Sequence, residues 1–306
     1  MKPANLLLLM LLSFWVVNGY AAGAVNSCGS VFIEQSNNTD FLIEKQLAEG
    51  TVVFQRPVGQ GLFRARFVEY SNGLEGVWKS AVKFGDIDTA NAEVAAYKID
   101  NYLGLNSVPV TVIRTLDGVI GSVQYRVRAV RDHVGYIRDP AQTGLLDYLI
   151  GNPDRHGENF LQRNDGKLIA IDHGLSFKRV SEHSFNVFQG NLQALEQNLL
   201  AQQRIQGEFG LATLKKEASQ LQSEINAFSP SKEVVDKLRA TTEEDWKRVV
   251  GDNINIDLIN SMMERQTILI QAFDKAEQLI GVERLYPAGP VSPLLKTGEG
   301  VANGVN

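Results

Sequence analysis

The sequence predicts an α+β fold of two lobes, a β-rich N-terminal lobe carrying one helix and a mostly helical C-terminal lobe. Three observations lead to it. Between Val52 and Val130, short runs rich in Val and aromatic residues alternate with Gly, Asn and Asp, the pattern of antiparallel strands. One stretch among them, about Ala90–Leu103, switches to helical periodicity. From Thr143 onward helical periodicity dominates, broken by a single short apolar strand at Leu168–Asp172. At 306 residues the chain is long enough for two lobes sharing a cleft.

Taken from the N-terminus, Lys2 supplies a short basic region, Leu6–Val17 an almost unbroken apolar run, and Ala22-Gly23-Ala24 a small-residue cleavage site. Residues 1–24 therefore read as a secretory signal, too short in its apolar part to span a bilayer comfortably. An exported protein is expected, periplasmic or secreted, with a bacterial envelope as the best fit. Cys28 is the one cysteine, so an internal disulfide is excluded and the core alone must hold the fold. Val25-Asn26-Ser27-Cys28 is a poor lipid-attachment box, and Cys28 reads as a free thiol near a flexible terminus. Asn37-Asn38-Thr39 is a glycosylation sequon in form only. Residues 25–49 read as a polar linker.

Strands are expected at Val52–Phe54, Leu62–Tyr70, Gly76–Phe84, Val108–Arg114 and Gly121–Val130. Asp88 or Thr89 can cap the helix that interrupts them, and Gly104 can close it. These elements place the first lobe at residues 50–130 and the second at 131–285. In the second, Thr241–Glu244 has capping-box form ahead of Trp246. The last long helix, about Ile256–Ile280, carries Ile259, Met262, Met263, Ile270 and Phe273 at helical spacing, a core stripe. From Tyr286 on, Pro, Gly, Ser and Asn indicate a disordered tail. No internal repeat is present. Hydrophobic content of 44% with 21% charged residues is ordinary for a globular protein, and a net charge of −5 argues against a nucleic-acid partner.

Chemistry concentrates in Leu145–Phe177, LLDYLIGNPDRHGENFLQRNDGKLIAIDHGLSF. Asp154 and Asn159 lie five residues apart in a polar loop; a connection through Asn164-Asp165-Gly166 leads into the apolar strand that ends on Asp172, with Gly174 to turn the backbone away. Phosphoryl transfer needs a carboxylate near the acceptor hydroxyl and oxygen ligands for Mg²⁺. Asp154 can supply the first, Asn159 and Asp172 the second. A carboxylate ending an apolar strand is costly to bury unless a cation meets it. Upstream, Lys79 on the strand Gly76–Phe84 offers a cation for nucleotide phosphates, and Glu93 in the first turns of the helix offers a carboxylate to hold it. Lys83 has the same strand parity and is the alternative; Lys79, directly after Val77-Trp78, is preferred because Lys83 lies at the strand's end. Gly59-Gln60-Gly61 either lets backbone amides approach phosphates or forms a simple hairpin turn. His156 and His173 match no zinc spacing and read as structural hydrogen-bonders, and Arg155 as the partner of a loop carbonyl or a carboxylate.

At these residues the chain resembles the atypical branch of the protein-kinase-like superfamily. Asn91–Val110, NAEVAAYKIDNYLGLNSVPV, is similar to the helix segment of the secretory-pathway kinases, the Golgi casein kinase and Four-jointed group. Leu145–Phe177 resembles the catalytic segment of that group, and equally that of the phosphatidylinositol 3-/4-kinase catalytic domain. The resemblance runs from about Gly50 to Phe177. It implies a two-lobed protein-kinase-like fold with ATP and Mg²⁺ or Mn²⁺ as cofactors. Lys79, with Lys83 as the alternative and Gly59 and Gly61 beside it, would contact the nucleotide, and Glu93 would hold Lys79. Asp154 would orient or deprotonate the acceptor hydroxyl, and Asn159 and Asp172 would bind the metal.

The implied activity is transfer of the ATP γ-phosphoryl to a hydroxyl of a protein or small molecule. A lipid kinase acting on phosphoinositides stays open, with Lys215-Lys216 as a slender hint. So do a non-catalytic pseudokinase and a protein nucleotidyltransferase. The single cysteine departs from the disulfide-rich animal secretory-pathway kinases, and asparagine at position 159 is closer to the lipid-kinase pattern. An exported kinase also meets little ATP outside the cytoplasm.

Overall fold

A computed structural model describes residues 37–58, 64–84, 87–129, 141–165, 167–177 and 230–286. The expected signal at 1–24, Cys28, Gly59, Gly61, Lys215, Lys216 and the tail from 287 lie outside the described residues. The architecture is α+β, in two compact units: Met1–Val82 with Val110–Arg126, and Lys83–Pro109 with Val127–Asn306. In chain order the strands are β1 (Val52–Pro57), β2 (Arg66–Tyr70), β3 (Glu75–Ser80), β4 (Lys83–Phe84), β5 (Ile87–Asp88), β6 (Thr111–Leu116), β7 (Val119–Tyr125), β8 (Phe160–Gln162) and β9 (Leu168–Ala170). The helices are α1 (Asn37–Glu49), α2 (Thr89–Leu103), α3 (Ala141–Ile150), α4 (Lys232–Ala240), α5 (Glu243–Val250), α6 (Ile256–Ile280) and α7 (Val282–Leu285). No described helix is long and apolar enough to cross a membrane.

The first unit is an antiparallel sheet of order β1-β2-β3-β7-β6 with α1 packed on β6 and β7. Residues 37–49, read from sequence as linker, form this helix because its last carbonyls are capped from far along the chain. The Arg114 guanidinium donates to Leu47 O and Ala48 O at 2.9 Å and to Gly50 O at 2.8 Å, and Tyr70 Oη donates to Leu47 O at 2.9 Å. Those are the orphan acceptors every helix end must satisfy. Gly121 sets the centre of the sheet: a Cβ there would fall 2.2 Å from Lys79 O and 2.6 Å from the Trp78 ring. Only glycine lets β7 pass Trp78, which is buried and donates its indole N–H to Arg114 O at 3.0 Å.

The second unit is built around α2, buried on most of its circumference through Ala92, Val94, Ala95, Ala96, Tyr97 and Ile99. Both expected caps operate. Asp88 Oδ1 accepts from Ala90 N at 2.8 Å, and Gly104 takes the left-handed conformation at φ 78°. Lys98 Nζ donates to Asn253 Oδ1 at 2.7 Å, and the Tyr102 ring meets Trp246 edge-on at 5.5 Å. On α6 the core stripe runs Ile259, Met262, Leu269, Phe273 and Ala276, whereas Met263 and Ile270 are half-buried. Gln266 is buried in the same stripe because it satisfies three partners: it accepts from Trp246 Nε1 at 2.6 Å and donates to Leu238 O and Thr241 O. The capping box of α5 is Thr242 with Asp245, one residue later than the sequence reading placed it. Thr241 is instead the C-cap of α4, its hydroxyl turned back to Lys237 O at 2.6 Å.

Beyond α2 the chain is held by a buried carboxylate. Both Asp100 oxygens accept from Ser107 N at 3.1 Å, and the Ser107 hydroxyl donates to the same group. This anchoring delays β6, which begins at Thr111 rather than Val108. Burial pushes the Asp100 carboxyl up to about 6, against the hydrogen bonds from Ser107 and the charge of Lys167, which favour its ionised form. A folded pKa above the unfolded value gives stability that is complete below about pH 4 and is lost as pH rises through about 6. Asp100→Asn should therefore flatten the pH dependence of the unfolding free energy over that window by about 3 kcal/mol relative to the parent. Urea denaturation at pH 4 and pH 7 measures it; parallel curves for the two proteins would refute it.

Candidate active site

The site begins where α3 ends. Gly151 at φ 62° reverses the chain, with Gly151 N donating to Tyr148 O and Asn152 N to Asp147 O, a Schellman closure. The buried Asn152 then links two carboxylate positions. Its Nδ2 donates to Asp147 Oδ1 at 2.8 Å, and its Oδ1 accepts from Asp154 N at 3.0 Å. Asp154 is thus fixed by its backbone, while its side chain is half-buried. His156 caps the 3₁₀ turn Gly157–Asn159, its Nδ1 accepting from Glu158 N at 3.3 Å. Asn159 is buried, with Nδ2 donating to Asp154 O at 2.8 Å and lying 3.2 Å from His156 Nε2. Holding the donor end of the amide turns its oxygen the other way, and the oxygen is the end that can ligate a cation.

The β8–β9 hairpin brings the second candidate ligand back to the first. Phe160 pairs with Ala170, and Ile171 N donates to Asn159 O at 3.0 Å, so Asn159 and Asp172 sit at the same end of the hairpin. Asp172 has φ 62°, in the left-handed region. Gly174 turns the backbone away as the sequence suggests: it is the first inner residue of the turn over 173–176, closed by Ser176 N donating to His173 O at 3.0 Å. Asp172 is of a residue type that tolerates its left-handed conformation better than most. Gly174 packs closely against α2, where a Cβ would stand 3.4 Å from Thr89 Cβ.

One buried guanidinium joins all of this. Arg155 forks onto Asp147 at 2.7 and 2.9 Å, with side chains only 6% and 7% exposed. Its Nη1 donates to Asn159 O at 2.8 Å and Ile171 O at 2.9 Å, and its Nη2 lies 2.7 Å from His173 Nε2. From α2, the buried Glu93 accepts from His173 N at 3.1 Å through Oε2. Arg155 and both histidines therefore have the supporting places the sequence suggested.

Of the expected site residues, Glu93, Asp154, Asn159 and Asp172 belong to the second unit, and hydrogen bonds among their backbones and neighbours tie them together. Lys79 belongs to the first unit, half-buried on the central strand β3 opposite Ser122. Lys83 is exposed on β4. Asp147 and Asn152 escaped the sequence reading; the signal was an acid inside the apolar run LLDYLI with an arginine eight residues later. The donor set of Asn159 and Asp172, an amide oxygen and a carboxylate, suits a hard divalent cation. Such an ion takes few protein ligands and completes its shell with phosphate oxygens and water. No cluster of three or more His, Cys, Asp or Glu that could hold a metal exists among the described residues, so an all-protein cage of that kind is absent there.

Solved structures share this arrangement of elements. The Golgi casein kinase with Mn/ADP bound aligns at a TM-score of 0.56 and 13% identity, over 81% of this chain and 78% of that one. The chain has an atypical protein-kinase-like fold. Hydra Fam20 with sugar has the same kinase-like fold, aligning at a TM-score of 0.54 and 13% identity over 82% of this chain and 92% of its own. The model of the phosphatidylinositol 3- and 4-kinase family matches residues 127–194, the stretch holding Asp154, Asn159 and Asp172. No curated protein sequence matches the chain significantly.

Proposed function

We propose that this chain is an exported kinase-like phosphotransferase that moves the γ-phosphoryl of ATP, with Mg²⁺ or Mn²⁺, to a hydroxyl of a protein or small molecule. The observation that carries the reading is the backbone lock that holds Asp154, Asn159 and Asp172 at one end of the β8–β9 hairpin. Catalysis of phosphoryl transfer is mostly positioning and charge stabilisation, and rigid support of three such oxygens suits it. Asp154 would orient the acceptor hydroxyl and take its proton. Asn159 Oδ1 and the Asp172 carboxylate would hold the cation, which when bound neutralises the phosphate charge. Lys79, on the resemblance, would contact the phosphates, with Glu93 holding it. Mn/ADP in the Golgi casein kinase supports a nucleotide and a divalent cation here.

The signal-like segment at residues 1–24 supports export. A second reading, a lipid kinase on phosphoinositides, is favoured by the family match over 127–194 and by the asparagine at 159. Incubating the protein with Mn²⁺ and ATP labelled separately at the α and γ phosphates, with protein and phosphoinositide vesicles as acceptors, separates these. γ label on protein supports the first reading and γ label on lipid the second. α label would show nucleotidyl transfer, and no label on any acceptor would show a pseudokinase.

A further inference from the structure

His173 carries information that neither the fold nor the proposed reaction uses. It is fully buried, directly follows Asp172, and has two charged groups of opposite sign on either side. Its Nε2 lies 2.7 Å from Arg155 Nη2. A guanidinium only donates, so Nε2 must be the acceptor, and the ring carries its proton on Nδ1. Nδ1 lies 4.0 Å from Glu93 Oε2, the oxygen that also accepts from His173 N. The two peptides flanking Asp172 are therefore both pinned, at Ile171 O by Arg155 and at His173 N by Glu93. Asp172 holds its left-handed conformation between these two fixed peptides.

We propose that the His173 imidazole is a positioning residue: accepting from Arg155 while facing Glu93, it locks the Asp172 carboxylate in its cation-ligating orientation. The inference rests on the reading of Asp172 as a metal ligand. Partners outside the ligand set commonly change metal affinity by about 10- to 100-fold when removed. His173→Phe keeps a planar ring but removes one of the acceptors of Arg155 Nη2, with Asp147 Oδ1 remaining, whereas His173→Gln retains an acceptor in its place.

The test is Mn²⁺ binding in the presence of ADP, followed by the electron paramagnetic resonance signal of free Mn²⁺, for the parent protein, D172N, H173F and H173Q. H173F should raise the Mn²⁺ Kd by about tenfold or more, and H173Q should recover most of that loss. D172N losing Mn²⁺ while H173F binds like the parent would overturn the role of His173 and leave Asp172's assignment standing. D172N binding like the parent, or a parent that takes up no Mn²⁺, would overturn the reading of Asp172 and this inference with it. Equal weakening in H173F and H173Q would mark His173 as mere packing and also overturn it. A second measurement needs no variant: two-bond ¹⁵N–¹H correlation of the parent imidazole should show the Nδ1–H tautomer, and an Nε2–H tautomer would refute the proposal.

Discussion

Asp172→Ala is expected to lower kcat/KM for γ-phosphoryl transfer by roughly 10³-fold or more, because on the proposed reading it removes a carboxylate that would hold the cation at the transferring phosphate. The same change should cost stability, by a separate route. Asp172 sits at φ 62°, where alanine is disfavoured by about 1 kcal/mol and asparagine is tolerated. Asp172→Asn removes the charge and keeps the conformational preference. The pair divides the two effects: both variants should lose transfer, and only the alanine variant should also lose stability in urea. An alanine variant with full activity would sink the assignment of Asp172 to the cation.

The second large effect belongs to Arg155. Its pair with Asp147 is almost wholly buried, so removing one partner strands the other charge without water. Arg155→Met should destabilise the protein by about 3–5 kcal/mol. Lysine is no substitute, because a point ammonium cannot fork onto Asp147 and still reach Asn159 O and Ile171 O. Removing both charges, as Arg155→Met with Asp147→Leu, should recover much of that stability, since a buried ion pair is often replaceable by apolar packing. Transfer should stay low in the double variant, because the carbonyls flanking Asn159 and Asp172 are still unheld. Denaturation curves and kcat/KM for the three proteins check both halves. A single Arg155→Met variant of parental stability would show that the pair contributes nothing.

These two sites also mark where the sequence was readable. The bounds of α2 and α6 were legible because their signals are local: Asp88 and Gly104 flank one, and Asn255 and Gly281 flank the other. The helix α1 was not, because its C-terminal carbonyls are satisfied by Arg114 and Tyr70, and no local pattern announces a cap supplied from another element. Asp154 and Asn159 stood out as oxygen donors spaced along a polar loop, and Asp172 as a carboxylate ending an apolar strand. Asp147 and Asn152 did not, since their work is done by hydrogen bonds to the backbone and to Arg155. Thr241 and Thr242 look alike in sequence; only the hydroxyl's choice of Lys237 O over a forward amide separates them.

The bond from His173 N to Glu93 spans 80 residues of chain, that from Arg265 to Leu149 spans 116, and that from Lys98 to Asn253 spans 155. Contacts of such separation form only after their loop-closure entropy has been met, so they belong to the late part of folding. The hairpin with its loop is a short, local piece that can begin to form by itself, but Asp172 acquires its supported conformation only when α2 has docked. The supported geometry of the candidate site is thus a property of the completed topology rather than of the hairpin alone.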